Sequence, residues 1–585
     1  MKKYFKTLIK SVWVVQAVLV LASCKSDVWE DHYSYKTDGN SSVSTLAETI
    51  ESLPDCQNFV TALKETYMYN YSGEKLIRLT YWDLLSSDQF FTVWVPKDDS
   101  MTPAEWKDYI APRTDPDKDH GKVGTQFILN HIARFSQPVG SDTTRIKMMS
   151  EKTFISTPLN IADNVAYDKS MVNMRCTNGI LHCIDGKVPY RPSIYEYITG
   201  LSPEIKSAGN ETYDYDTILG DWFKKFTLSE VDEKRSVAYD IDDEGQVIYV
   251  DKVVIKSSIL MKKYGFISTE DSNYAVVLPT PTVWRAEYDS MRKFFEYPVS
   301  PIIPVPEGEL SKEDADSLSQ FWTKSAMLTD MFFNMNKKIQ RHKKDSVTST
   351  LFSRAERMSK KTPYHVYYAP YDSTGLFSKA ACIDSIICSN GIIYIKDFWP
   401  YEDSMTFRVP IKINAADVRI SGVTANPRGV NRVGTRMFNN HRIMEVSKTT
   451  AAWDADYVVD DYLKGKYLVK IVIFPNSVIQ QPNLVHPKVT YTTTTTTGVK
   501  TTTLPNGERK YKKGVKTYLL NDTVGRDLAK IDTIVIGPVE IPSCSYKTPP
   551  GKITVNLASV INNANQDQFT NKIWLDCIIL EPVFE

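Results

Sequence analysis

The sequence predicts an α+β fold built twice in tandem, followed by an all-β jelly-roll or sandwich domain. Three observations carry this. The phrase Arg175-Cys-Thr-Asn-Gly-Ile-Leu-His-Cys-Ile-Asp185 returns as Ile387-Cys-Ser-Asn-Gly-Ile-Ile-Tyr-Ile-Lys-Asp397. The segments upstream of each copy follow the same order. After Asp397 the patterning changes to strands and turns. In both copies a small polar residue and Asn-Gly precede an apolar run that ends near an Asp. Asn-Gly accepts positive φ cheaply, and the run behind it predicts a half-buried strand entered through a hairpin. An offset of 212 residues, from Asn178 to Asn390, is too long for a solenoid period and implies two copies of a whole domain.

The chain opens on residues 1–23, with Lys2, Lys3, Lys6 and Lys10 ahead of an apolar run from Val12 to Ala22. That run is too short to span a bilayer and predicts a secretory signal. Leu21-Ala-Ser-Cys24 resembles the bacterial lipobox, which implies lipidation of Cys24. At roughly 0.8 kcal/mol per buried CH₂, two or three acyl chains would hold the protein at a membrane. Asp27, Glu30 and Asp31 resemble the surface-export signal of Bacteroidota lipoproteins, so residues 24–43 read as a tether.

The first module is expected over residues 44–190. Thr45-Leu-Ala-Glu48 is a capping-box pattern opening a helix with Leu46, Ile50 and Leu53 on one face. Phe91-Thr-Val-Trp-Val-Pro-Lys97 predicts a strand and turn, Phe127-Ile-Leu-Asn-His131 a helix, and the Asn-Gly hairpin closes the copy. The second module, over residues 191–400, repeats the plan. Ser193-Ile-Tyr-Glu196 opens it, and Tyr274-Ala-Val-Val-Leu-Pro279, Met327-Leu-Thr-Asp-Met-Phe332 and the second Asn-Gly follow. Offsets grow from 183 residues (Pro96 to Pro279) through 199 (Leu129 to Leu328) to 212, so the second copy carries insertions. Loop length costs little.

This order resembles the fasciclin domain, an α+β module with a "TVFAPT"-like strand-turn, an "L-x-x-H" helix and an "NG-x-I-H-x-I-D" strand. Thr92-Val-Trp-Val-Pro-Lys97, Ile128-Leu-Asn-His131 and Asn178-Gly-Ile-Leu-His182 carry it in the first copy. The second departs at Asp330 and Tyr394, where the pattern has histidines. The resemblance spans roughly residues 44–400 and implies a structural role for His131.

Residues 401–585 are expected to form the sandwich. Thr406-Phe-Arg-Val-Pro-Ile-Lys-Ile-Asn414 and Lys466–Phe474 read as strands, and Lys572–Pro582 is similar to the closing strand of galactose-binding jelly rolls. Nine threonines between Thr492 and Thr503 predict a projecting hairpin or, in the competing reading, a disordered glycosylated strip. Asp followed by Ser or Thr and an apolar residue or Thr, as at Asp99, Asp142 and Asp384, is similar to an O-glycosylation acceptor of exported Bacteroidota proteins. The Asp384 copy is expected to be buried in a strand and silent.

Charge and motifs narrow the function. The 585 residues carry 70 Lys+Arg against 70 Asp+Glu, which gives no electrostatic case for nucleic acid. No H-E-x-x-H, G-x-S-x-G, P-loop or G-x-G-x-x-G is present. Neither a metal site nor a cofactor is expected, and no enzyme. Asp240–Asp251 looks partly like a calcium loop but is flanked by strand patterns and reads as a hairpin; the acidic stretch 115–121 reads as a solvated loop. Cys176 with Cys183, or Cys382 with Cys388, could oxidise in an export compartment. With 33 Tyr and 11 Trp, ring faces for sugars are available, and Trp453 and Tyr457 are the first aromatics to test. The resemblances imply an outer-membrane, lipid-anchored surface protein, an accessory subunit of a SusC/SusD-type, TonB-dependent transporter helping to capture polysaccharide. The alternative they imply is an adhesin for cells, matrix or host glycans.

Overall fold

The computed structural model describes residues 44–69, 76–110, 123–200, 214–335, 350–352, 366–429, 442–446, 452–473, 483–503, 518–519, 532–547 and 551–584, with short breaks inside several spans. The leader 1–23, Cys24, the tether 24–43 and the loop 115–121 lie outside them. Among the described residues no helix is long and apolar enough to cross a membrane. The chain divides into two compact units. One holds the residues up to Arg191 with Ser229–Lys256; the other holds Pro192–Leu228 and the residues from Ser257 onward.

In the first unit, helix α1 (Leu46–Glu51) starts where the sequence places it. The Thr45 hydroxyl accepts from Glu48 N at 3.3 Å, and the Glu48 carboxylate accepts from Thr45 N at 2.8 Å, satisfying two end donors reciprocally. Its Leu46, Ala47 and Ile50 pack with Phe59 and Leu63 of α2 (Gln57–Glu65). Beneath lies a four-stranded sheet of β1 (Phe91–Pro96), β2 (Ile132–Arg134), β3 (Met174–Cys176) and β4 (Gly179–Ile184), in the order β2-β1-β4-β3. Strands β1 and β4 run parallel, Gly179 opposite Phe91 and Ile184 opposite Pro96, while the other pairs are antiparallel.

The hairpin at Asn-Gly is as expected, but β4 is not half-buried: all six positions are buried. It is a central strand, so both faces are covered, and period-2 alternation fails for such strands. The helix expected at 127–131 is a π turn over Val123–Ile128 followed by a 3₁₀ turn over Leu129–His131.

The second unit repeats the sheet. Strands β5 (Tyr274–Pro279), β6 (Phe332–Asn334), β7 (Asp384–Cys388) and β8 (Gly391–Lys396) lie in the order β6-β5-β8-β7, with β5 and β8 parallel and Gly391 opposite Tyr274. Its first helix, α3 (Ile194–Ile198), is opened by the expected capping box at Ser193. Helices α4 (Pro281–Arg292) and α5 (Lys312–Met327) lie between β5 and β6, and the 16-residue α5 accounts for part of the longer offsets. In the Ser229–Lys256 segment that belongs to the first unit, Val237–Ile241 pairs antiparallel with Val247–Asp251, so the calcium-like stretch is a hairpin.

One glycine in each sheet is dictated by close approach. A Cβ on Gly179 would lie 1.9 Å from Phe91 O, and one on Gly391 would lie 1.9 Å from Tyr274 O. The parallel neighbour leaves no room for a side chain.

The rest of the second unit holds two sheets facing one core. One runs through Ala425–Gly429, Arg442–Val446, Ile573–Pro582, Gly465–Ile473 and Asp532–Ile541; the other through Ile420–Ser421, Asp454–Val459, Gly551–Ser559, Leu484–Thr495 and Gly498–Thr503. Buried Val469, Ile471, Val555, Leu557, Leu575 and Ile578 fill the space between them. Leu484–Thr495 and Gly498–Thr503 form the expected threonine hairpin. Only Ile411–Asn414 of the strand expected at 406–414 forms, because Asp403–Thr406 closes a short helical turn. Phe295, Tyr297 and Ala315 share a small core with Leu463 and Cys544, so the second α/β copy and the sandwich pack within one unit.

Candidate ligand-binding cavity

Beyond Pro96 the chain of the first unit turns sharply over helix α2. Asp98 sets this turn: its carboxylate accepts from Gln57 N at 3.0 Å and Asn58 N at 2.9 Å, and its carbonyl accepts from Trp106 Nε1 at 2.9 Å. A carboxylate is favoured at these unpaired N–H groups at a helix start. The following helix, Pro103–Ile110, is anchored by Glu105, whose carboxylate accepts from Thr102 N and Oγ1 at 3.0 and 2.9 Å. Those bonds hold the Glu105 carboxyl below its usual range, with Lys187 at 3.8 Å adding a smaller pull.

Between these elements opens a cavity of about 580 Å³, within the range of small-molecule sites. Acceptors dominate its polar lining, with Asp98, Asp99 and Glu105 beside Asn58 and Thr102, while Met101 and Trp106 contribute apolar wall. The Asn58 amide and the Asp99 carboxylate make no hydrogen bond among the described residues, whereas Asp98 and Glu105 are engaged by backbone. Such a lining can receive several hydroxyl donors at once. Beside it, Lys97 bridges Asp168 at 3.1 Å and Asp185 at 2.6 Å. Hydrogen bonds from Ser170, then Lys97, bring the Asp168 carboxyl down to about 2.

The residues proposed from sequence lie elsewhere. Trp453 and Tyr457 belong to the sandwich core, 3% and 0% exposed, with Trp453 Nε1 donating to Asn571 O at 3.1 Å. They present no ring face to a ligand. Tyr457 sits at an inward position of a strand alternating out and in from Asp454 to Val459. Both expected pairs are free thiols in this structure. Cys176 pairs opposite Gly179 and donates its thiol to Thr49 Oγ1, while Cys183 is four residues further along β4, about 13 Å at strand rise. Cys388 stands opposite Gly391, and Cys382 precedes the whole of β7. Ser385, of the Asp384 tripeptide, is exposed rather than buried.

His131 and His182 have structural bonds. His131 Nε2 accepts from Val188 N at 2.9 Å, so its Nδ1–H donates to Phe127 O at 2.7 Å. His182 Nδ1 accepts from Asn173 N and Nε2–H donates to Gln137 O, both at 3.1 Å. Burial pushes both rings down to about 4. In the second unit, burial also raises the carboxyls of Glu287 and Asp403, Glu287 further through its neighbour Asp403.

Sequence reasoning missed the cavity. Its signal was Lys97-Asp-Asp-Ser-Met-Thr-Pro-Ala-Glu-Trp106, where polar residues cluster between a strand and a helix.

No family model and no curated protein matches the chain. Among solved structures it is similar to a family 35 carbohydrate-binding module from Clostridium thermocellum, at 10% identity and TM-score 0.18, over 30% of this chain and 99% of that one. It is also similar to an Arthrobacter globiformis isomalto-dextranase complexed with panose (10% identity, TM-score 0.19, 30% of this chain and 24% of that one). A third is the exo-β-1,3-galactanase of Phanerochaete chrysosporium with galactose (9% identity, TM-score 0.18, 37% of each chain). The match therefore spans less than half the length of either enzyme, and likeness at these scores transfers no activity.

Proposed function

We propose that this is a non-catalytic surface lipoprotein, anchored in the outer membrane through Cys24, that binds a glycan as an accessory subunit of a SusC/SusD-type, TonB-dependent uptake system. In this reading residues 44–400 are tandem fasciclin-like modules, supported by the repeated sheet order and the repeated Asn-Gly hairpin. The observation that carries glycan binding is the acceptor-lined cavity, where the Asn58 amide and Asp99 carboxylate stand ready for hydroxyl groups. A polyhydroxylated ligand supplies donors to those acceptors, and the more accessible Pro103 and Ile110 of the lining offer apolar contact to its ring carbons.

Two measurements test this. Titration calorimetry of the full chain against a panel of oligosaccharides should find a binder, with affinity reduced at least tenfold in Asp99→Ala and in Asn58→Ala. Unchanged affinity in both variants would remove the cavity from the proposal. Affinity purification from outer membranes in mild detergent should recover a TonB-dependent barrel and its lid lipoprotein. Recovery of the protein alone would end the importer reading and favour adhesion.

A further inference from the structure

We propose that the cavity of the first unit takes a positively charged sugar, an oligosaccharide of amino sugars with free amines, in preference to a neutral or acidic one. This rests on the glycan-binding reading above and adds the class of glycan.

The first ground is charge. Asp98, Asp99 and Glu105 line the cavity, and among the described residues of its lining none is basic. The neighbouring cations are committed elsewhere. Lys97, one residue before Asp98, is turned to Asp168 at 3.1 Å and Asp185 at 2.6 Å. Lys187 stands 3.8 Å from Glu105 and donates to the Tyr109 hydroxyl at 3.3 Å. Asp98 is answered by Gln57 N and Asn58 N at the start of α2. The bonds from Thr102 keep Glu105 ionised, and the Asp99 carboxylate makes no hydrogen bond among the described residues.

The two copies supply the second ground. In the second, β5 ends at Pro279 and α4 starts at Pro281, with Thr280 alone between them. In the first, β1 ends at Pro96 and the next helix starts at Pro103, and the longer turn brings in Asp98, Asp99 and Met101. One copy thus joins strand to helix without this turn, so the fold does not require the carboxylates that the turn carries to the cavity.

An ammonium suits such a lining better than a hydroxyl. It donates to carboxylates in charge-assisted bonds, roughly twice as strong as neutral ones, and offsets charge that a neutral sugar leaves uncompensated. A uronic acid would add a further carboxylate and be repelled. Asp99 and Glu105 are exposed, so each pair contributes only about two- to fivefold in affinity, and salt screens it.

The test is titration calorimetry of the full chain with three β-1,4-linked hexasaccharides: that of glucosamine, its N-acetylated form and that of glucose. The buffer is held at about pH 5.5, where amines are protonated and carboxylates charged. In low salt the glucosamine oligomer should bind about tenfold tighter than either neutral one, and about 0.5 M salt should remove most of that preference. Asp99→Asn and Glu105→Gln keep the shape of each side chain and should each lower the preference about threefold. Asp289→Asn, at an exposed acid of α4, should leave it unchanged. Equal or tighter binding of a neutral hexasaccharide overturns the inference and leaves the glycan reading standing. A preference that survives both cavity variants also overturns it, because the charge is then recognised elsewhere. Binding of none of the three overturns it as well, and the wider oligosaccharide panel then decides the glycan reading separately.

Discussion

Asn178 and Asn390, 212 residues apart, make the same hydrogen bonds in two copies of one sheet. The Asn178 Oδ1 accepts from Leu46 N at 2.7 Å, and its Nδ2 donates to Leu85 O at 2.8 Å and Ser87 O at 2.6 Å. The Asn390 Oδ1 accepts from Ile194 N at 2.9 Å, and its Nδ2 donates to Ile267 O at 2.7 Å and Thr269 O at 3.2 Å. In each copy the amide joins the first helix to the loop that enters the parallel strand pair. Both side chains are buried, so each bond replaces water that cannot reach these groups.

Replacing either asparagine by Ala should therefore cost about 2–4 kcal/mol, because three buried backbone groups lose their partner. Urea unfolding followed by circular dichroism measures this. A loss below about 0.5 kcal/mol would mean that water or a shifted loop takes over the role.

Gly179→Ala and Gly391→Ala should disrupt the sheets outright, since the added Cβ would meet a carbonyl at 1.9 Å. Gly186→Ala is the control: its φ of 145° is similar, but the nearest atom to a Cβ is 3.6 Å away. That variant should show only the backbone penalty, about 1 kcal/mol. Soluble yield and melting temperature of the three variants separate steric clash from backbone strain.

Acid should destabilise the first unit through His131 and His182. Their folded values lie near 4 against 6.5 for an ordinary histidine, so between pH 6.5 and 4 the unfolded chain binds more protons and stability rises with pH. The contribution is complete above pH 6.5 and is lost as pH falls towards 4, at most about 3 kcal/mol per ring. Nuclear magnetic resonance titration should show two imidazoles still neutral at pH 5. Two rings titrating near 6.5 would contradict the buried hydrogen bonds.

Tyr457→Phe should be neutral or stabilising by up to about 1 kcal/mol, because the buried hydroxyl has no hydrogen-bond partner among the described residues. Trp453→Ala should instead cost about 3–5 kcal/mol by opening the sandwich core. Glycan affinity per folded molecule should stay the same in both. A fall in affinity with stability intact would return these aromatics to the ligand.

The Arg408 guanidinium lies 4.4 Å from the ring centroids of both Phe294 and Phe584, with its fork donating to Val583 O. Arg408→Lys keeps the charge but loses the planar face that stacks between two rings. It should cost about 1–2 kcal/mol, with Arg408→Ala costing more. Wild-type stability in Arg408→Lys with a loss in Arg408→Ala would show that stem packing, rather than the fork, matters here.

By itself the sequence determined the duplication, the helix starts at Thr45 and Ser193, the hairpins at Asn178 and Asn390, and the change to strands after the second copy. These features are local: a capping box needs three consecutive spacings, and a hairpin needs one turn with apolar flanks. Tertiary structure decided what local pattern cannot hold. The parallel pairing of β1 with β4 buries both faces of β4 and turns Asn178 from a turn residue into a hub 132 residues from the helix it ties down. The cavity arises because Asp98 reaches back to Gln57 and Asn58, some 40 residues earlier, and gathers acceptors whose only shared property in the sequence is polarity. Trp453 and Tyr457 went to the core because apolar area removed from water outweighs any one exposed stacking face.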